Sequence, residues 1–147
     1  MRPPKTALIV DDNATVRCTL RLLLDHAGLD VLEARNGAEA LAVLEARNWQ
    51  VDVVASDIQM PVMDGLALAG ALKAVTPQRG MRPALLLHSS EADCYAEQAR
   101  ALAVPLVPKS NVHELVAAIV GTVRAPTELI TPPRGNGGPW AFGEPRS

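Results

Sequence analysis

Three carboxylates, a pair of serines and one lysine are the residues of this sequence best placed to do chemistry. Asp11 and Asp12 follow the apolar run 6–10, and Asp57 closes the run 51–56. Ser89 and Ser90 follow the run 84–88, and Lys109 follows the run 104–107. Three carboxylates brought close together repel, and one must take up a proton unless a cation intervenes. A hard divalent ion meets that need because it prefers oxygen. Magnesium in particular uses one or two carboxylates with water and phosphate oxygens. A lysine beside the cluster adds a charge suited to phosphoryl oxygens, and a serine hydroxyl can donate to the same group. Together these groups make a site for phosphoryl transfer onto an aspartate. Asp57 is the best nucleophile because it ends the run Val51-Asp52-Val53-Val54-Ala55-Ser56.

Whether these residues meet depends on the elements that carry them. Five short apolar runs, 6–10, 30–34, 51–56, 84–88 and 104–107, alternate with five longer segments of helical period. Several of the runs are continuously apolar, as strands covered on both faces are. Val16, Leu20, Leu23 and Ala27 form one apolar stripe on a first helix, with Asn13 as its N-cap and Gly28 just past its last turn. Further helices are expected over 37–47, with Leu41 and Leu44 inward, and over 66–75, 91–102 and 112–123, the last carrying Leu115, Ile119 and Val123 on one face. Asp64 and Gly65 make a turn and cap ahead of the third helix. A strand and a helix repeated five times predict a doubly wound α/β domain over residues 5–124, with a parallel sheet and right-handed crossovers. Ligands of such sheets bind beyond the carboxyl ends of the strands. Four of the five runs deliver polar groups there. The second, ending Glu33-Ala34-Arg35, adds none that matches.

Composition narrows the classes. At 147 residues, 48% hydrophobic and 20% charged, the chain can bury the core of one domain and little more. A formal net charge of −2 provides no broad basic field for nucleic acid or anionic lipid. No apolar run approaches the roughly 18–20 residues that cross a bilayer. The lead-in Met1-Arg2-Pro3-Pro4-Lys5 precedes a run that soon reaches Asp11, so it reads as a buried strand and not as a secretory signal. Cys18 and Cys94 show no metal or redox spacing, which fits reduced thiols in a cytoplasmic protein. His26, His88 and His113 are scattered, which argues against a histidine metal site, and His88 reads as a partnered strand residue. Residues 125–147 are rich in proline and glycine and read as a flexible tail, with Trp140 and Phe142 in it and charges that cancel. The excess of arginine over lysine and the abundant alanine fit a GC-rich bacterial genome.

The strings Leu8-Ile9-Val10-Asp11-Asp12-Asn13, Asn36-Gly37-Ala38-Glu39-Ala40-Leu41 and Asp57-Ile58-Gln59-Met60-Pro61-Val62-Met63-Asp64-Gly65, followed by Lys109, resemble the receiver domain of two-component response regulators. The resemblance covers nearly everything except the tail. It implies a flavodoxin-like fold with five parallel strands in the order 2-1-3-4-5. It also implies that Asp57 accepts a phosphoryl group from a sensor histidine kinase or a histidine phosphotransfer protein. Asp12 and Asp57 would bind Mg2+ directly with the backbone carbonyl of Gln59, and Asp11 would bind it through water. Lys109 would pair with the phosphoryl oxygens, and Ser89 would swing toward them as the switch.

The chain also departs from that family's pattern. Ser110 follows Lys109 where proline is usual, and Leu106 stands at the usual aromatic switch position. Counting from Pro83 puts His88 at the common place of the switch hydroxyl, whereas the His-Ser-Ser pattern favours Ser89, which is taken here. With 23 residues after Arg124, the expectation is a stand-alone receiver. It would catalyse only its own phosphorylation and dephosphorylation and signal to an unknown protein target, without direct nucleic-acid contact or membrane insertion. The alternatives are an intermediate in a phosphorelay, an unphosphorylated adaptor with the same fold, and a phosphohydrolase of similar topology. Gln59 stands where the phosphohydrolase would need a second acid.

Overall fold

A computed structural model of the chain describes residues 4–75 and 83–124, so the tail expected over 125–147 lies outside the described residues. The elements are β1 (Thr6–Val10), α1 (Ala14–His26), β2 (Asp30–Ala34), α2 (Gly37–Ala46) and β3 (Val53–Asp57). They continue with α3 (Gly65–Ala74), β4 (Ala84–Ser89), α4 (Ala92–Leu102), β5 (Leu106–Pro108) and α5 (Val112–Arg124). All the strands pair in parallel in one sheet, β2-β1-β3-β4-β5, as expected.

β1 is buried along its whole length, and its side chains alternate between two cores. Ala7 and Ile9 meet Leu20, Leu24, Leu115 and Ile119 of α1 and α5. Leu8 and Val10 meet Leu44, Leu68 and Leu72 of α2 and α3. A third cluster, Ile58, Ala69, Leu87, Ala99 and Val104, lies between α3 and α4.

Two strand starts and one helix face differ from the expectation, each for a local reason. β3 starts at Val53 because Asp52 turns its carboxylate onto the Thr6 N–H at 2.8 Å. β5 starts at Leu106 because Ala103, in the left-handed region at φ 58°, and the Val104 N–H bonded to the Ala99 carbonyl close α4 first. In α1 the fully buried leucines are Leu20 and Leu24, and Leu23 is only half-buried. The stripe is therefore stepped by four residues at that turn, not by three.

Asn13, Asn36, Asp64 and Asn111 cap the starts of α1, α2, α3 and α5 through their side-chain oxygens. At α4, Glu91 makes no such bond, and Ala99 is the one buried residue of the helix. α1 is tied to β2 more firmly. Glu33 accepts from Arg17 Nε at 3.0 Å and from Arg21 Nε at 2.5 Å. The Arg21 bond, then the Arg17 bond, hold its carboxyl below the ordinary value of 4.5 against the opposing effect of burial. A carboxyl lowered on folding adds stability above its unfolded pKa, and that stability is lost as pH falls through the folded value. Glu33→Gln is therefore expected to cost about 1 kcal/mol at pH 7. In urea titrations at several pH values, that difference should shrink below about pH 4.5. A difference unchanged in acid would show that the carboxylate charge contributes nothing.

Candidate functional site

The parallel sheet brings the ends of β1, β3, β4 and β5 to one rim, and the capping loops fix what each presents there. Asp11, with no exposed surface, is held at three points. Its N–H donates to the Ala34 carbonyl at 3.0 Å, and its Oδ1 accepts from the Asn13 N–H at 2.9 Å. Its own carbonyl accepts from Arg17 Nη1 at 2.6 Å. Asp57 is 5% exposed, and its Oδ1 accepts from the Ile58 N–H at 2.8 Å, which fixes the rotation of the carboxylate. Lys109 joins the two acids, with Nζ 2.9 Å from Asp11 Oδ2 and 3.1 Å from Asp57 Oδ2. Its backbone N–H donates to the Ser89 carbonyl at 2.9 Å, which ties the ends of β4 and β5 together.

The loop after β3 is folded back on the strand. The Ile58 carbonyl accepts from the Gly65 N–H at 2.8 Å, and the Met63 carbonyl accepts from the Gly37 N–H at 2.9 Å. A Cβ at residue 65 would fall on the Asp57 carbonyl oxygen, within 2.9 Å of Ile58 Cα. Only glycine allows α3 to start that close to the acid.

The other residues expected at the site take different places. Asp12 is exposed beside Asp11, and its side chain has no hydrogen-bond or ion-pair partner among the described residues. Gln59 is exposed in the loop after β3. Ser89 is buried, and its Oγ accepts from the Glu91 N–H at 2.9 Å.

The residue that the structure adds to the cluster is His88, the register partner of Asp57 across β3 and β4. It has no exposed surface, and neither ring nitrogen has a hydrogen-bond partner among the described residues, which departs from the partnered strand residue expected. Nδ1 lies 4.0 Å from Asp11 Oδ2, and one ligating atom each of Asp11, Asp57 and His88 lies within 4.8 Å of the other two. An unpartnered buried polar group costs about 1–3 kcal/mol. The one sequence signal for His88 was its distance from Pro83.

Burial sets the electrostatics, followed by the neighbouring charges. Burial and then Asp11 push the Asp57 carboxyl above its ordinary value, although Lys109 opposes them. Burial also works against the Lys109 ammonium, but bonds to Asp11 and Asp57 more than offset it and raise its pKa. Burial and the Lys109 charge push His88 down to about 3, so its ring is neutral at pH 7. Two acids against one ammonium leave excess negative charge and acceptor oxygens at the rim. That donor set suits a small hard cation. No described helix is long and apolar enough to cross a membrane.

Comparison with known proteins gives a consistent picture. A family model described as the response regulator receiver domain matches residues 7–120. The DNA-binding transcriptional regulator NtrC of Escherichia coli K12 is 35% identical over 113 residues, which is 76% of this chain and 23% of that protein. A protein-glutamate methylesterase/protein-glutamine glutaminase of Rhodospirillum rubrum is 47% identical over 72 residues, 48% of this chain and 19% of that protein. The chain thus spans about a fifth of the length of these curated relatives. Among solved structures, the chemotaxis response regulator CheY4 of Vibrio cholerae superposes with a TM-score of 0.69 at 26% identity, covering 82% of this chain and 99% of that one.

Proposed function

The chain belongs to the response regulator receiver family, and on that footing we propose that Asp57 accepts a phosphoryl group and that the domain then signals by protein contact. The observation that carries this reading is the Lys109 ammonium set 2.9 and 3.1 Å from the buried acids Asp11 and Asp57 at the carboxyl rim of the sheet. An Asp57 carboxylate oxygen attacks phosphorus as the bond to the donor nitrogen of a phosphohistidine breaks. Lys109, already at Asp57 Oδ2, meets the negative oxygens that arrive. Asp11, Asp12 and Asp57, with the carbonyl of Gln59, would hold Mg2+, which supplies further positive charge against the phosphoryl oxygens. The donor is a sensor histidine kinase or a histidine phosphotransfer protein in the cytoplasm. The domain's catalysis is confined to its own phosphorylation and dephosphorylation.

The new group carries nearly two negative charges into a pocket that already holds net negative charge. A complete change of state needs about 5.5 kcal/mol of differential interaction, whereas one charge-assisted contact supplies about 1.5–3 kcal/mol. Several groups must therefore engage it. Contacts at Ser89 and Lys109 would shift the ends of β4 and β5 and remodel the nearby surface, where Tyr95 and Leu106 are half-buried.

Incubation with acetyl phosphate and Mg2+ is expected to add one phosphate, read by intact mass. The adduct should be lost at alkaline pH, should not form in chelator, and should map to the peptide containing Asp57. An alkali-stable adduct, or none, would overturn the reading.

A further inference from the structure

We propose that His88 is a phosphoryl-positioning residue that donates a ring N–H to an oxygen of the group carried on Asp57. This rests on Asp57 being the phosphoacceptor, and the test below separates the two. A neutral imidazole has one N–H to give and one nitrogen to accept with. Here both are sealed from solvent and unpartnered, at a position whose strand register sets the ring beside Asp57. Asp11 Oδ2, at 4.0 Å, is beyond hydrogen-bond reach of Nδ1 and is held by Lys109 instead.

The gap from the ring to the acids, up to 4.8 Å, is too long for a direct bond. It is the length that one interposed oxygen bridges, at about 2.7–3.2 Å per hydrogen bond. The proposed chemistry delivers such an oxygen, anionic and acceptor-only, to that place. The neighbouring hydroxyl does not duplicate that contact, since Ser89 starts on the opposite face of β4 with its Oγ accepting from the Glu91 N–H, and it would have to turn before its O–H could reach the group. Lys109 approaches along the Asp11–Asp57 edge, so the imidazole supplies a second donor from the β4 side.

The test uses the intact chain, uniformly labelled with 15N so that histidine rings and backbone amides are both read, and beryllium fluoride with Mg2+ as the phosphoryl mimic. The His88 signals are identified by their absence in His88→Gln. On adding the mimic, one His88 ring N–H should become hydrogen-bonded, with a displaced 15N shift and a proton protected from exchange, while His26 and His113 stay unchanged. His88→Leu should weaken binding of the mimic about tenfold or more, and His88→Gln, which keeps an N–H, should recover most of that loss. If the mimic binds, shown by movement of the Ile58 amide, but the His88 ring does not respond, the positioning role is overturned and phosphorylation of Asp57 stands. If the mimic does not bind at all, both fall. If His88→Leu does not fold, the ring signals of the native chain still decide.

Discussion

Asp57→Asn is expected to abolish the acetyl phosphate adduct and, at neutral pH, to raise the melting temperature by a few degrees. The first effect is the loss of the nucleophile. An amide oxygen has no charge to place on phosphorus, and Asp11, the other buried acid at Lys109, has no exposed surface through which a donor could reach it, whereas Asp57 is 5% exposed. The second follows from linkage. The Asp57 carboxyl is raised above its ordinary value of 3.8 by burial and Asp11, so folding disfavours its ionised form. Such a group contributes most below its unfolded pKa, and that contribution is lost as pH rises through the folded value. Once ionised, the buried acid therefore weakens the fold. Asparagine removes the charge, keeps the shape and still accepts from the Ile58 N–H, while Lys109 retains Asp11 at 2.9 Å. The gain should vanish below about pH 3.8, where both chains carry a neutral group. Melting curves from pH 3 to pH 7 would show it, and a variant less stable than its parent at pH 7 would refute the electrostatic account.

Gly65→Ala is expected to cost about 3 kcal/mol and to slow phosphorylation roughly a hundredfold. The added methyl would sit on the Asp57 carbonyl oxygen, 2.9 Å from Ile58 Cα and 3.0 Å from the Asp57 carbonyl carbon. All of these are backbone atoms, so no rotamer change relieves the clash. Either α3 backs away and loses the Gly65 N–H bond to the Ile58 carbonyl, or the end of β3 moves and takes the nucleophile with it. Gly70 is the internal control. It lies in the same helix with nothing within 4 Å of its would-be Cβ, so Gly70→Ala should stabilise by about 0.5–1 kcal/mol through helix propensity alone. Urea titrations of both variants, with adduct formation timed alongside, read the contrast. Equal stabilities would mean that the approach of α3 to the acid is not tight.

The architecture was legible because each strand is a short, continuous apolar run and each helix between them shows its own period and, in most cases, its own cap. Asn13 and Asp64 announce α1 and α3 before any contact is known. The end of β5 was harder. Val104 looks apolar enough to start the strand, yet after the left-handed turn at Ala103 its N–H closes α4 on the Ala99 carbonyl. Within the site, Asp11, Asp57 and Lys109 could be placed because each lies at or just past the end of a strand. The choice between His88 and Ser89 turned on a single residue of register, and one residue moves a strand side chain to the other face. No composition or spacing argument resolves that step. The register sets His88 opposite Asp57 and leaves Ser89 one step beyond.

The rim that gathers these groups is unequally braced. On one side, Arg17 and Arg21 clamp α1 to Glu33, Arg17 also grips the Asp11 carbonyl, and Arg124 Nη2 reaches the Ala27 carbonyl at 2.6 Å to bind α5 to α1. On the other, α4 starts without a side-chain cap and sinks one alanine into the core. Segments with few buried contacts open at low free energy, whereas well-packed ones open only with the whole domain. The molecule thus pairs a stationary half, where the acids are anchored, with a yielding half behind Ser89. Under the proposed phosphorylation, energy deposited at residue 57 would find its softest outlet through α4.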